Sequence, residues 1–108
     1  MRVMVGDVIA IGPGKIDLLE AIDATKSIAA AAKSLGMSYR RAWMLVDGIN
    51  HALTTPAVVT ATGGARGGGT ELTETGRSAV ALYRRIEQRA FETCQADIDK
   101  LVALVHRG

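Results

Sequence analysis

Ser38, Tyr39, Arg40 and Arg41 stand side by side at the start of a stretch whose apolar residues recur with helical spacing, and Met44 follows one turn later. Residues of these types in the first turn of a helix have a definite chemistry. An arginine guanidinium is a planar fork that donates two hydrogen bonds to the O6 and N7 of a guanine, and the first helical turn is the part that enters a major groove. Counting about 100° per residue from the apolar positions Ala42, Leu45, Val46 and Ile49, Arg40, Met44 and Asp47 point away from a core, while Arg41 and Trp43 fall on opposite flanks. Arg40 is therefore the candidate for a base edge, and Arg41, Ser38 and Tyr39 suit phosphates or a groove wall. Trp43 and Tyr39 read first as packing residues with polar tips at the rim. An isolated arginine pair on a helix is ordinarily a solvated face. The surrounding pattern changes that reading.

That pattern is two short helices broken at a glycine. Ile28, Ala31, Ala32 and Leu35 follow the i, i+3, i+4, i+7 template, with Ser27 as N-cap and Gly36 as the left-handed residue that ends the helix. Ser38 is the natural N-cap of the second helix. The alanines of the first helix let a neighbour approach closely and hold the arginine-bearing helix at a fixed angle, which is the organisation of a helix-turn-helix. Upstream, residues 1–11 are rich in Val and Ile and precede Gly12-Pro13-Gly14, which predicts a strand ended by a turn. A first helix is predicted over about residues 15–24, with Ile16, Leu19 and Ile22 on one face. Downstream, Thr55-Pro56 stops the arginine helix, residues 57–62 read as a strand, and residues 70–73 read as a shorter return strand. A helix-turn-helix followed by a hairpin is a winged helix.

The hairpin tip, residues 63–69, is almost all glycine apart from Ala65 and Arg66. A phosphate-cradling P-loop would need Gly-Lys-Ser/Thr at a strand-to-helix junction, and neither that nor G-x-G-x-x-G is present. A wing fits better: small residues let the tip lie near a DNA backbone, and Arg66 can reach a phosphate or enter the minor groove. The competing reading is a floppy connector.

The last third predicts one long helix over residues 74–106, capped by Thr73. Its apolar positions Tyr83, Ile86, Ala90, Cys94, Ile98, Leu101 and Val105 recur at the helical period. About 30 residues of such a helix span about 45 Å, more than a small three-helix core can cover, so a two-fold partner is expected to bury its distal part. A tail folding back near Cys94-Gln95 is the lesser alternative, since no Gly or Pro there supports a turn.

Composition suits one compact domain of 108 residues, with 48% hydrophobic, 22% charged and 4% aromatic residues, and hence a core of aliphatic side chains and alanine. Net charge is only +2, but residues 24–70 hold Lys26, Lys33, Arg40, Arg41 and Arg66 against the single acid Asp47, a net of +4 that leaves −2 for the flanks. A basic middle implies one anionic contact face. Cys94 is the sole cysteine, which excludes an intrachain disulfide and a thiolate zinc cluster. It could crosslink a dimer, although buried lone cysteines are usually inert. The N-terminus lacks a signal-peptide core and no apolar stretch approaches membrane-spanning length, so the expected compartment is the cytoplasm.

An enzymatic reading has little support. His51 and His106 are far apart and lack a triad pattern, and Asp17, Glu20 and Asp23 read as a solvated acidic face. No catalytic residues, metal or cofactor are expected.

Leu19-Glu-Ala-Ile-Asp23, Ser27-Ile-Ala-Ala-Ala-Ala-Lys33, Leu35-Gly-Met-Ser-Tyr-Arg-Arg-Ala-Trp43, Thr62-Gly-Gly-Ala-Arg-Gly-Gly-Gly-Thr70 and Leu72-Thr-Glu-Thr-Gly76 together resemble the N-terminal DNA-binding domain of the ModE family of molybdate-responsive transcriptional regulators. The resemblance covers roughly residues 15–90, in order and without large gaps. The broader LysR-type winged helix shares the alanine-rich second helix but lacks the Ser-Tyr-Arg-Arg-Ala-Trp run and the triple-glycine wing. The resemblance implies a homodimeric regulator of double-stranded DNA in which helix three reads the operator and the wing touches flanking DNA. By motif match, Ser38, Tyr39, Arg40 and Arg41 would be the helix contacts and Arg66 the wing contact, with Met44 added by its outward position. Family members with a sensor carry molybdate-binding domains after this one, and the sequence ends at Gly108. No effector, molybdate or other, is expected to bind within the chain, while a role in molybdenum metabolism is implied.

The reading is thus a mainly α fold with a small β-hairpin: one winged helix-turn-helix domain over residues 1–108, divided into helix-turn-helix and wing (15–73) and a long C-terminal dimerisation helix (74–106). The expected function is sequence-specific transcriptional regulation as a homodimer. The alternative is an interaction module of the same fold that dimerises with a larger regulator and modulates it.

Overall fold

A computed structural model describes residues 2–5, 8–61 and 69–105. The chain begins with β1 (Val3–Val5) and β2 (Val8–Ile11), then runs through α1 (Pro13–Thr25), α2 (Ile28–Ser34) and α3 (Tyr39–Ala52). A second pair of strands, β3 (Val58–Ala61) and β4 (Gly69–Leu72), leads to α4 (Glu74–Thr93) and α5 (Gln95–Ala103). The architecture is a winged helix-turn-helix, mainly helical, with two separate two-stranded antiparallel sheets.

Residue types predict one strand in the first eleven residues, and the structure has two. β1 pairs antiparallel with β2, Val3 opposite Ile11 and Val5 opposite Val8, with a register shift between Val3 and Met4. A run of β-branched residues long enough to be one strand can equally fold on itself; Gly6-Asp7, which break the run, lie outside the described residues. β2 packs on α3 and ends at buried Ile11.

α1 opens two residues earlier than its apolar spacing predicts. Pro13 takes the first helical position, where its missing N–H costs nothing, and Gly12 before it is extended. Ile16, Leu19 and Ile22 are fully buried as their spacing predicts, and Leu18 joins them because α2, α3, α4 and β4 surround α1 on several sides.

The turn between α2 and α3 forms as its residues dictate. The Ser27 hydroxyl accepts the Ala30 N–H at 3.1 Å, Gly36 is left-handed at φ 69°, and the Met37 N–H closes onto the Ala32 carbonyl at 3.0 Å. Ala31 and Ala32 of α2 and Ala42 of α3 are buried, small side chains that suit the close packing of these two helices. The helical period puts Leu35 on the core face, but it is exposed, because it sits at the C-cap, where the chain has already left helical geometry.

Strand register follows the pleat. Val58 faces Leu72 and Thr60 faces Thr70, with Val58, Leu72 and Thr70 buried and Val59 and Glu71 on the outer face. β4 is anchored beyond its own sheet: the Thr70 N–H donates to the carbonyl of Lys26, 3.0 Å away, in the turn between α1 and α2.

The C-terminal third departs from the expected single helix. Thr73 caps α4, its hydroxyl accepting the Gly76 N–H at 3.1 Å, but the helix is interrupted at Cys94, whose φ of −103° and ψ of 15° leave the helical basin. Thr93 and Cys94 are both weak helix formers, and both are exposed. The hydrogen-bond ladder survives on either side, from the Cys94 N–H to Ala90 and from the Ile98 N–H to Cys94. The break in helical geometry therefore needs neither glycine nor proline. Tyr83 is buried at the proximal end of the apolar stripe, Ile98 is half-buried, and Ile86, Cys94, Leu101 and Val105 are exposed.

Candidate nucleic-acid interface

α3 presents two different faces. Ala42, Val46 and Ile49 are buried and Leu45 is half-buried against the core, whereas Tyr39, Arg40, Arg41, Met44 and Asp47 are exposed. Met44 has 65% of its surface accessible, in keeping with a side chain that points straight outward. Arg40, Arg41, Met44 and Leu45 line one shallow cleft with Ser38, so four of the candidate contacts share one surface. The Ser38 hydroxyl oxygen also accepts the Arg41 N–H at 3.1 Å as the helix cap. Its proton remains able to donate to an anion. Arg66 lies outside the described residues.

Tyr39 and Trp43, read from sequence as packing residues at the rim, are 55% and 47% accessible. With Lys26, Ile28, Thr60 and Thr70 they line a cleft of about 320 Å³ between α3, the turn before α2 and the base of the second hairpin. Indole and phenol groups there offer a flat apolar wall with a donor at its edge.

Sequence reasoning missed the side chain that ties this surface together. The Asn50 amide oxygen accepts the N–H groups of Ala57 at 2.9 Å and Val58 at 3.1 Å, and its NH₂ donates to the Val58 carbonyl at 3.0 Å. Asn50 thus links the last turn of α3 to the first residues of β3. A second unforeseen tie is at the other end of the hairpin. The backbone of Lys26 is left-handed at φ 58°, and its carbonyl receives Thr70 while its N–H returns to Ile22 at 2.7 Å. Helix and hairpin are held as one piece by backbone groups that periodicity does not reveal.

The third tie corrects an expectation. Asp17 and Glu20 do not form a merely solvated acidic face: Arg84 of α4 contacts Asp17 at 2.8 Å and also pairs with Glu20, and it reaches Glu87 on its own helix at 2.8 Å. Hydrogen bonds to Glu20, Glu87 and Asp17 raise the guanidinium's pKa further above its already high ordinary value. The same guanidinium lies 5.9 Å from the ring centre of Tyr83. Burial, foremost, and the Glu87 charge push the Tyr83 phenol up. Asp23 pairs instead with Lys26 at 3.2 Å.

His51 is exposed, with Nδ1 2.7 Å from the Asp47 carbonyl and 3.5 Å from its carboxylate, an i, i+4 surface pair on α3. His106 lies outside the described residues. Cys94 is exposed rather than buried. Among the described residues no three His, Cys, Asp or Glu side chains gather as metal ligands, and no helix is long and apolar enough to cross a membrane.

No protein-family model matches the sequence. Individual relatives do. The chain is 39% identical over 108 residues to the molybdenum transport protein ModE of Azotobacter vinelandii, covering 90% of this chain and 40% of that protein. It is 39% identical over 101 residues to the transcriptional regulator ModE of Yersinia pestis, covering 88% of this chain and 38% of that one. The chain therefore spans about two fifths of the length of these relatives. In structure it resembles the DNA-binding domain of CbnR solved as a DNA complex, with a TM-score of 0.62 and 22% identity over 86% of this chain and 99% of that one. That likeness is one of fold.

Proposed function

We propose that this ModE-family chain, a winged helix-turn-helix homologous to those regulators over nine tenths of its length, is a sequence-specific reader of double-stranded DNA that regulates transcription as a homodimer. One observation carries the reading: a helix whose inner face is fully engaged in the core presents Tyr39, Arg40, Arg41 and Met44 together on its outer first turns. Arg40 reads a base edge from the major groove. Arg41, Tyr39 and Ser38 contact the flanking phosphates, and Arg66 in the glycine-rich hairpin tip touches DNA beyond the groove. The names of two relatives, a molybdenum transport protein and a transcriptional regulator, support a setting in molybdenum transport.

The exposed apolar face of α4 and α5 supports the dimer. A two-fold partner places two reading helices on half-sites separated by whole helical turns.

Titration of labelled genomic fragments at two salt concentrations tests the proposal. Arg40→Ala should weaken the specific site by about 1–3 kcal/mol and relax preference at one base pair per half-site, whereas Arg41→Ala should weaken all sequences alike. If no fragment binds more tightly than random DNA, the chain is instead an interaction module without an operator of its own. If both variants bind as the wild type does, α3 is not the reading helix.

A further inference from the structure

The chain has one Trp, two Tyr and one Phe, and half of these four rings stand on one flank of α3. Tyr39 and Trp43 are one turn apart, each rotated about 100° from the outward residue that follows it, Arg40 and Met44. Neither belongs to the core, and each leaves about half of its surface open, 55% for Tyr39 and 47% for Trp43. Tyr83 of α4, by contrast, is buried. Two large rings left open forgo the stabilisation that burial gives aromatic side chains. A ligand that covers them recovers it.

The cleft of about 320 Å³ that the two rings wall has a composite chemistry. Its aromatic side is flat and apolar, continued by Ile28. The same cleft is lined by two side-chain hydroxyls, that of exposed Thr60 on β3 and that of Ser27, whose oxygen accepts the Ala30 N–H at 3.1 Å and whose proton can donate outward. Lys26, which also lines it, directs its ammonium to Asp23 at 3.2 Å. A flat apolar wall beside neutral donors suits a group with an apolar face and an anionic edge. A sugar-phosphate unit is such a group.

A helix about 10–12 Å across fills a major groove about 12 Å wide, so its flanks meet the sugars and phosphates of the groove walls rather than the bases at its floor. We infer that the cleft seats one deoxyribose-phosphate unit of the strand bordering the groove: the Trp43 indole, with the Tyr39 ring, packs on the apolar face of the sugar, and the Ser27 and Thr60 hydroxyls meet the adjoining phosphate. The inference rests on the DNA-reading role of α3. The contact carries no base information of its own; it fixes the depth and rotation at which α3 presents Arg40. Trp43 is thereby a positioning residue for DNA and not a packing residue at the rim.

Trp43 is the only tryptophan in the chain, so its fluorescence reports on this cleft without any substitution. Acrylamide should quench it readily in the free protein, and DNA should shield it. Trp43→Ala, checked for folding by thermal melting, should weaken the specific fragment and random DNA by the same factor, about tenfold for the loss of a large aromatic contact. The slope of log K against log salt should stay unchanged, because no cation is lost. Trp43→Phe should restore most of the affinity. Replacing each thymine of the specific fragment in turn by deoxyuridine removes only the C5-methyl group, and no position should distinguish the wild type from Trp43→Ala. A position that weakens the wild type alone makes Trp43 a thymine reader and overturns the sugar seat. A folded Trp43→Ala that binds as the wild type does, or fluorescence already shielded in the free chain, or fluorescence equally open to acrylamide in the complex, overturns the seat and leaves Arg40 as the reading residue. The two fluorescence outcomes need no variant, so they decide even where Trp43→Ala does not fold. A wild type that binds no DNA brings down the role of α3 and the seat together.

Discussion

Asn50 and Val58 exchange two hydrogen bonds across the end of α3, the side-chain oxygen accepting the Val58 N–H at 3.1 Å and the side-chain nitrogen donating to its carbonyl at 3.0 Å. With the additional bond from Ala57 at 2.9 Å, one side chain satisfies three backbone groups at the start of β3. No other polar side chain of α3 reaches the second hairpin through a hydrogen bond among the described residues. A half-buried side chain that touches no proposed ligand therefore links the end of α3 to the start of β3.

Asn50→Ala leaves those groups without their partner in a half-buried position, and each unmet group of that kind costs about 1–3 kcal/mol. The expected result is a clear loss of stability in denaturant unfolding and weaker DNA binding. Asn50→Asp keeps the acceptor oxygen and loses the donor, so it should fall between the two. A variant as stable as the wild type would show that water replaces the amide without cost.

Gly76 and Gly48 are both helical glycines with opposite surroundings. A Cβ at Gly76 would lie 2.3 Å from the Ala57 carbonyl oxygen, whereas at Gly48 nothing stands within 4 Å. That same carbonyl accepts the Thr73 N–H at 2.8 Å, so the start of α4 is seated directly on the chain leading into β3. Gly76→Ala should lose about 1–3 kcal/mol through the forced displacement, even though alanine is worth roughly 1 kcal/mol more than glycine in a helix. Gly48→Ala should gain roughly 0.5–1 kcal/mol. Melting temperatures of the two variants moving in opposite directions verify the prediction; a shift in the same direction refutes it.

Arg84→Ala should free α4 from α1 at a modest cost, about 1 kcal/mol, because the pairs are more than a third open to solvent and are screened. A group whose folded pKa is raised contributes fully below its unfolded pKa, and the contribution fades only as pH climbs past that value. For an arginine this window lies above any ordinary alkaline condition. The stability difference between wild type and variant should hold constant from about pH 7 to pH 10 and shrink in high salt. A difference that vanishes by pH 10 would assign the stabilisation to another group.

The distal arm carries the dimer prediction. Leu101, Leu104 and Val105 are 64%, 82% and 60% accessible, and burying a large aliphatic side chain is worth roughly 1.5–3 kcal/mol. Substituting Asp at both Ile98 and Leu101 should turn a dimer into a monomer in light scattering, with specific DNA affinity falling more steeply than nonspecific affinity. A double variant that remains dimeric would move the interface to the N-terminal strands and α1.

The helix-turn-helix was legible in the sequence because its signals are local. Ser27, Gly36, Ser38 and Thr73 each act on backbone groups within a turn of themselves, so residue type and spacing suffice to place them. The outward position of Arg40 and Met44 follows from the same helical period. What only the tertiary structure decided depends on elements far apart in the chain. The pairing of Arg84 with Asp17 and Glu20, the fit of Gly76 against Ala57 and the seating of Asn50 on Val58 arise where elements dock, and no period in the sequence encodes the distance between docked partners. The interruption at Cys94 was likewise not legible in the sequence. The helical period of the apolar stripe runs unbroken through residue 94, so only the weak Thr-Cys step, which periodicity does not weigh, marks where the helical dihedrals are lost.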